Sequence, residues 1–299
     1  MNNIIETKNL NYHFGKFRAI ENLNLKVQHN CIYGFLGPNG AGKTTTIKII
    51  LGLLESKNDD VFLFNKRLNG NRTEILSNVG SLVENPSIYE HLTANENLRI
   101  TAKLLGINNS RIDDVLKITG LHYAKHKKAG KFSLGMKQRL GISKALMSDP
   151  QLLILDEPTN GLDPAGIIEI RNLIVKLKEE KGKTIFLSSH LLSEIEKMCT
   201  DVGIIDKGKL LFQGKISELE KIDTKTLNIR CSKPETVTKY LSNNNYDFEI
   251  IGENIFSFSD VNDTKTAELI RQLVEMHIDI FTVEQRKLTL EELFIKMTE

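Results

Sequence analysis

Eight consecutive residues, Gly37-Pro38-Asn39-Gly40-Ala41-Gly42-Lys43-Thr44, restrict the fold more than any other stretch of the chain. They satisfy the pattern G-x-x-x-x-G-K-[ST] at every fixed position. Upstream, Cys31-Ile32-Tyr33-Gly34-Phe35-Leu36 is an apolar run long enough for a buried strand. Downstream, Ile47, Ile50 and Leu51 recur at helical spacing. The motif therefore joins a strand to a helix. Its glycines let the backbone bend around an anion without a Cβ in the way. Backbone N–H groups then face the anion, and the helix N-terminus adds partial positive charge. Lys43 can reach the β- and γ-phosphates of a nucleotide, and the Thr44 hydroxyl can ligate Mg²⁺. Gly37, Pro38, Asn39, Gly40, Ala41, Gly42, Lys43, Thr44 and Thr45 form the candidate nucleotide-binding set, with Lys43 also a candidate catalytic group.

The rest of the chain limits what such a loop can serve. A length of 299 residues suggests one large or two smaller domains. With 40% hydrophobic and 26% charged residues, the chain reads as an ordinary soluble globular protein. A net charge of +2 does not argue for nucleic acid, and no nucleic-acid partner is expected. Cys31, Cys199 and Cys231 match no metal spacing, and their odd number fits a reducing cytosol better than a disulfide framework. The opening MNNIIETKNL does not read as a secretory leader. No apolar run approaches the roughly 18 residues a bilayer span requires, so work at a membrane would go through a partner.

In chain order, residues 3 to 30 read as antiparallel strands. Ile4, Leu10 and Tyr12 fit one, Leu23, Leu25 and Val27 another, and Gly15 turns between them. Strands are expected at 60–64 and 79–83, followed by a break at Glu84-Asn85-Pro86. Thr93-Ala94-Asn95-Glu96 has the form of a capping box, opening a helix to Leu105 with Gly106 as its stop. Ser110 to Asp113 opens a second helix in a similar way. Lys125 to Lys128 with Lys131 make a basic cluster, read as a solvated loop. A helix follows over 135–147, a buried strand over 151–156, and a long helix capped by Asp163 with Pro164 first. Strand 184–187, a helix to Met198 and a hairpin around Lys207-Gly208 complete an α/β sandwich with a mostly parallel sheet. Residues 223–299 change character, reading strand, helix, strand, strand, helix, strand and a final helix over 289–298. That is the split βαβ order.

Two strand ends carry further chemistry. Leu152-Leu153-Ile154-Leu155 delivers Asp156 and Glu157, where ligands bind in open α/β sheets. Asp156 can hold Mg²⁺ opposite Thr44, and Glu157 can accept a proton from attacking water. His190 likewise ends a strand and can contact a γ-phosphate. Phe14 stands at another strand end, either as a core ring or as a platform for a base.

Together these motifs resemble the ATP-binding-cassette ATPases, the nucleotide-binding subunits of ABC transporters, over residues 3 to about 215. Gly37 to Thr44 matches the Walker A loop and Leu152 to Glu157 the Walker B strand with its catalytic glutamate. Asn160 to Asp163 matches the D-loop, and His190 the switch histidine. Phe14 falls where that family stacks an aromatic on adenine, with Tyr12 the neighbouring candidate. The family signature, usually L-S-G-G-Q, appears as Phe132-Ser133-Leu134-Gly135-Met136. The resemblance implies that Ser133, Gly135 and Asp163 join the nucleotide-binding set. Two departures stand out. Leu134 replaces a glycine whose backbone angles leucine does not take freely. Glu84 replaces the glutamine usual at its loop, where it could still ligate Mg²⁺ alongside Thr44 and Asp156. These departures, with Leu92 to Leu98 and the ending Leu290-Glu291-Glu292-Leu293-Phe294-Ile295, are similar to the subunits that export lantibiotics or bacitracin-like peptides.

The resemblance implies a P-loop ABC ATPase fold: a mostly parallel core, an antiparallel β subdomain and a helical subdomain at about 86–145. The cassette would span 1–215, with an accessory α+β domain, βαββαβ, at 223–299. It also implies hydrolysis of ATP with Mg²⁺ by a head-to-tail homodimer that sandwiches the nucleotide. Separately encoded transmembrane permease subunits would hold it at the cytoplasmic face of the membrane. Other readings are an exporter ATPase for a different drug or ion, a soluble cassette ATPase, and a non-hydrolysing regulatory cassette. Intact Lys43, Asp156, Glu157 and His190 count against the last.

Overall fold

The structure, a computed structural model, describes residues 3–56, 60–84, 86–219, 225–259, 262–287 and 290–298. Asn85 in the expected break, residues 223, 224 and 299 at the edges of the expected second domain, and residue 289 of the final helix lie outside them. Two compact units divide the chain, one essentially Met1–Ile216 and the other essentially Ser217–Met297.

The first unit is built on a six-stranded sheet. Its order is Lys209–Lys215, Asp201–Asp206, Ile32–Leu36, Thr184–Ser189, Leu152–Leu155 and Val79–Leu82. All neighbours are parallel except the Asp201–Asp206 and Lys209–Lys215 hairpin at one edge. The central strands are buried on both faces, which is why Leu152, Leu153, Ile154 and Leu155 form an unbroken apolar run, each 0% exposed. Phe186 anchors the middle, with ring centroids 5.6 Å from Tyr33 and 5.5 Å from Phe35.

A four-stranded antiparallel sheet in the order Lys26–Gln28, Asn3–Thr7, Val61–Leu63, Lys66–Arg67 lies in the same unit, as does the hairpin Leu10–Phe14 with Phe17–Leu23. The two long strands expected over residues 3 to 30 are thus four. Asn9 and Asn22 take left-handed angles, φ 49° and 48°, and interrupt the run. The buried Thr7 hydroxyl holds the break, donating to Leu23 O (2.7 Å) and accepting from Leu25 N (2.9 Å).

Two helices, Ala94–Leu105 and Ser110–Ile118, precede the helix Leu134–Ala145. The capping box at Thr93 forms with both arms, and Gly106 closes that helix at φ 66°. Ser110 does not cap its helix. Asn108 accepts from the Ser110 N–H at 2.9 Å instead, because Ser110 is already helical. Asp163 caps Pro164–Lys181 by accepting from Gly166 N at 3.0 Å. The Ile112, Val115 and Leu116 side chains are buried at helical spacing.

The second unit has a four-stranded antiparallel sheet in the order Glu249–Gly252, Ile255–Ser259, Lys225–Cys231, Ile280–Lys287. Its helices Pro234–Asn243 and Asp263–Glu275 bury Val237, Leu241, Leu269 and Leu273 in a core with Leu227, Ile229, Phe256 and Phe258. A helix Leu290–Thr298 follows. The element order is strand, helix, strand, strand, helix, strand, helix.

Candidate active site

Four neighbouring parallel strands end at the same edge of the sheet: Leu36 is matched in register with Ser189, while Leu155 and the Leu82 beside it end two residues earlier, at the level of Leu187. Because each strand points the same way, the loops that leave these ends converge. They bring the glycine-rich loop, His190, Asp156 with Glu157, and the Val83-Glu84 segment to the same edge of the sheet.

The loop is fixed by close approach. A Cβ at Gly37 would lie 2.3 Å from the Ile205 carbonyl oxygen, so no side chain fits there. Gly42 takes φ 109° immediately before the helix Lys43–Ile50. The first-turn N–H groups of Lys43, Thr44 and Thr45 have no carbonyl one turn back within that helix. Lys43, 6% exposed, donates to Gly37 O (2.7 Å) and Pro38 O (3.1 Å) and lies 3.2 Å from Glu157 Oε1. Its ammonium is wrapped in oxygens at the mouth of an anion-binding loop.

Thr44 donates to Asp156 Oδ2 at 2.9 Å, and Ser188 donates to Asp156 Oδ1 at 2.6 Å. Ser188 also accepts from Glu157 N at 2.8 Å. This one hydroxyl sets the carboxylate of Asp156 and the peptide of Glu157, which is held at φ 48°, a strained angle for a non-glycine residue. The Glu157 carboxylate in turn lies between Lys43 and His190, whose Nδ1 is 2.8 Å from Oε2. A carboxylate so placed is oriented by two cationic-capable partners and can accept a proton. Thr44 and Asp156 offer hard oxygen donors, the chemistry a Mg²⁺ ion takes when phosphates and waters complete its shell.

Sequence reasoning missed Ser188, Lys48 and the Thr159–Glu194 pair. Ser188 is a fully buried hydroxyl at the end of an apolar strand, and that polarity was the available signal. Glu194, on the helix Leu192–Met198, accepts from the Thr159 hydroxyl, and both side chains are buried. The bond ties the segment after Glu157 to the helix after His190.

Other expected residues sit apart from this cluster. Glu84, at φ 59°, is not bonded to Thr44 or Asp156; its Oε1 lies 2.6 Å from Lys48 Nζ. Ser133 caps Leu134–Ala145, accepting from Met136 N at 3.2 Å. The strain anticipated at Leu134 is absent, since this residue is the first of the helix and is not among those with positive φ. Its side chain lies over Gly161, where an added Cβ would be 3.3 Å from Leu134 Cδ2. A Cβ on Gly135 would be 3.9 Å from Leu162, so the Ser133 segment and the loop ending at Asp163 form a second cluster. Among the described residues, Phe14, Ser133, Gly135 and Asp163 share no hydrogen bond or ion pair with Lys43, Asp156, Glu157 or His190. Phe14 is half exposed, 5.0 Å edge-to-face from Tyr12 and paired across its hairpin with the exposed Phe17.

Residues 20–160 match the family model described as ABC transporter. The chain is 44% identical to the bacitracin transport ATP-binding protein BcrA of Bacillus licheniformis, covering 99% of this chain and 98% of that protein. It is 40% identical to the lantibiotic transport ATP-binding protein SrtF of Streptococcus pyogenes, covering 74% of this chain and 94% of that protein. Among solved structures, it is similar to a dimeric ATP-binding cassette in a post-hydrolysis state with ADP and Pi bound. That likeness has a TM-score of 0.63 at 25% identity, over 71% of this chain and 98% of the other.

Proposed function

The chain belongs to the ABC transporter family as an ATP-binding, ATP-hydrolysing subunit, and on that premise we propose that it powers export of a bacitracin-like cyclic peptide antibiotic. The observation that carries the substrate class is coverage. Likeness to the bacitracin transport protein runs through both units of this chain, whereas likeness to the lantibiotic transport protein covers 74% of it. That likeness across the second unit is what supports the bacitracin type over the lantibiotic type. Among the described residues no helix is long and apolar enough to cross a membrane. Permease subunits encoded separately would supply the pathway and hold the protein at the cytoplasmic face of the membrane.

In this reading the loop 37–45 binds the ATP phosphates, Lys43 contacts the β- and γ-phosphates, and Phe14 stacks on the base. Thr44 and Asp156 would hold Mg²⁺, which would neutralise phosphate charge. Glu157 takes the proton of the attacking water, and His190 orients that carboxylate and meets the γ-phosphate. Lys43 must leave Glu157 for the phosphates, which frees the base only when nucleotide arrives. Ser133, Gly135 and Asp163, remote from Lys43 in hydrogen bonding, would act on the nucleotide of a second copy. Two copies related by a two-fold axis then close around two nucleotides. ATP favours the closed pair and hydrolysis releases it, a population shift set by differential affinity.

The test is purification with membrane proteins from neighbouring genes, followed by ATPase assay with and without cationic cyclic peptides. Co-purification and stimulation by bacitracin-like peptides are expected. Unstimulated turnover without any membrane partner would leave the ATPase and remove the export reading.

A further inference from the structure

Glu84, which stands where the resembled family usually has glutamine, forms an ion pair with Lys48 at 2.6 Å. Lys48 lies four residues after Thr44 on the helix Lys43–Ile50. Positions four apart share a helix face, one turn or about 5.4 Å along the axis. The strand before Glu84 ends at Leu82, whose carbonyl accepts from Asp156 N at 2.8 Å. Glu84 thus leaves the sheet beside Asp156, but at a left-handed backbone angle its carboxylate is bonded to Lys48, a side chain rooted one turn after Thr44, and not to Thr44 or Asp156. The side chains are 32% exposed for Lys48 and 63% for Glu84, so the pair is partly solvated and easily broken.

A glutamine there would bring no charge. A glutamate adds a negative charge to a site that already holds Asp156 and Glu157 and must admit a polyphosphate. The contact with Lys48 answers that cost in the absence of nucleotide. We propose that Lys48 is a positioning residue: from a helix position one turn after Thr44 it holds and neutralises the Glu84 carboxylate, which once released would be free to ligate the metal of a bound nucleotide. This rests on the reading of Thr44 and Asp156 as the metal-holding pair. Thr44 and Asp156 fit that group by their oxygen donors and their 2.9 Å contact.

If Lys48 competes for Glu84, removing Lys48 helps metal binding only while residue 84 can ligate as a carboxylate held by lysine. A fluorescent, non-hydrolysable ATP analogue at fixed concentration is titrated with Mg²⁺ against four proteins: wild type, Lys48→Met, Glu84→Gln and the double variant. Lys48→Gln serves as a second neutral replacement, and melting without nucleotide checks that each variant is folded. The Mg²⁺ midpoint is expected to fall about three- to tenfold for Lys48→Met beside Glu84 and less than twofold beside Gln, the former being the gain from removing a competitor plus one nearby cation. Equal shifts in both backgrounds would overturn the latch and leave the metal site intact. Nucleotide binding that ignores Mg²⁺ in the wild type would overturn the metal-site reading and the latch with it.

Discussion

At the scale of single residues, the site depends on side chains that serve others. Ser188 is the clearest, since its one hydroxyl meets both Asp156 and the backbone of Glu157. Ser188→Ala leaves a buried carboxylate oxygen and a partly buried N–H without their partner. It is expected to cost about 1–3 kcal/mol in urea unfolding and to lower kcat at saturating ATP. Glu157→Gln keeps the shape of the side chain but loses its basicity. It is expected to retain ATP, accumulate as a dimer on size exclusion, and lose roughly 10²–10⁴-fold in turnover. Turnover at the wild-type rate would remove the proton-accepting role from Glu157. The thiols carry a different prediction. Burial pushes Cys31 up to about 12 and also raises Cys199 and Cys231 above the ordinary thiol value. With so little thiolate at neutral pH, native protein is expected to react with a thiol reagent far more slowly than protein in guanidinium.

At the scale of elements, termini decide stability and position. Thr93 and Glu96 satisfy two donors at the start of Ala94–Leu105, so Thr93→Ala is expected to cost about 1 kcal/mol in urea unfolding. Asp149, after the helix Leu134–Ala145, bonds Lys183 at 3.0 Å and Arg111 at 2.8 Å. Lys183 first, then Arg111, holds its carboxyl below the ordinary range. A carboxyl lowered by folding stabilises above its unfolded pKa, about 3.9, and that contribution is lost as pH falls through the folded value. Asp149→Asn should therefore lie below wild type in stability near pH 7 and converge on it below about pH 4, read by urea midpoints across that range. Elements were legible where one local signal was complete, as in the capping box and in Asp163-Pro164. They were misread where the chain broke at Asn9 and Asn22, because an alternating apolar pattern carries through a left-handed kink. The Ser110 cap was misread because the actual acceptor, Asn108, lies two residues upstream of the helix.

At the scale of the whole molecule, each unit has its own core, one around Tyr33, Phe35 and Phe186 and one around Phe256 and Phe258. Two cores predict two calorimetric transitions. Phe256→Ala should lose about 3–5 kcal/mol from one transition and leave nucleotide binding unchanged. A single shared transition would show that the cores unfold together. The fold class, the ATPase motifs and their order, and the family could be read from sequence, because a phosphate loop and a strand-end carboxylate need particular residue types at close spacing. Gly37, Lys43 and Asp156 announce themselves in that way. The network through Ser188, the Thr159–Glu194 bond and the pairing of Glu84 with Lys48 could not be read, since their partners are separated by 32, 35 and 36 residues. Local pattern records which groups a turn or strand end presents. Only the parallel sheet, by ending four strands at the same edge, determines which of those groups meet.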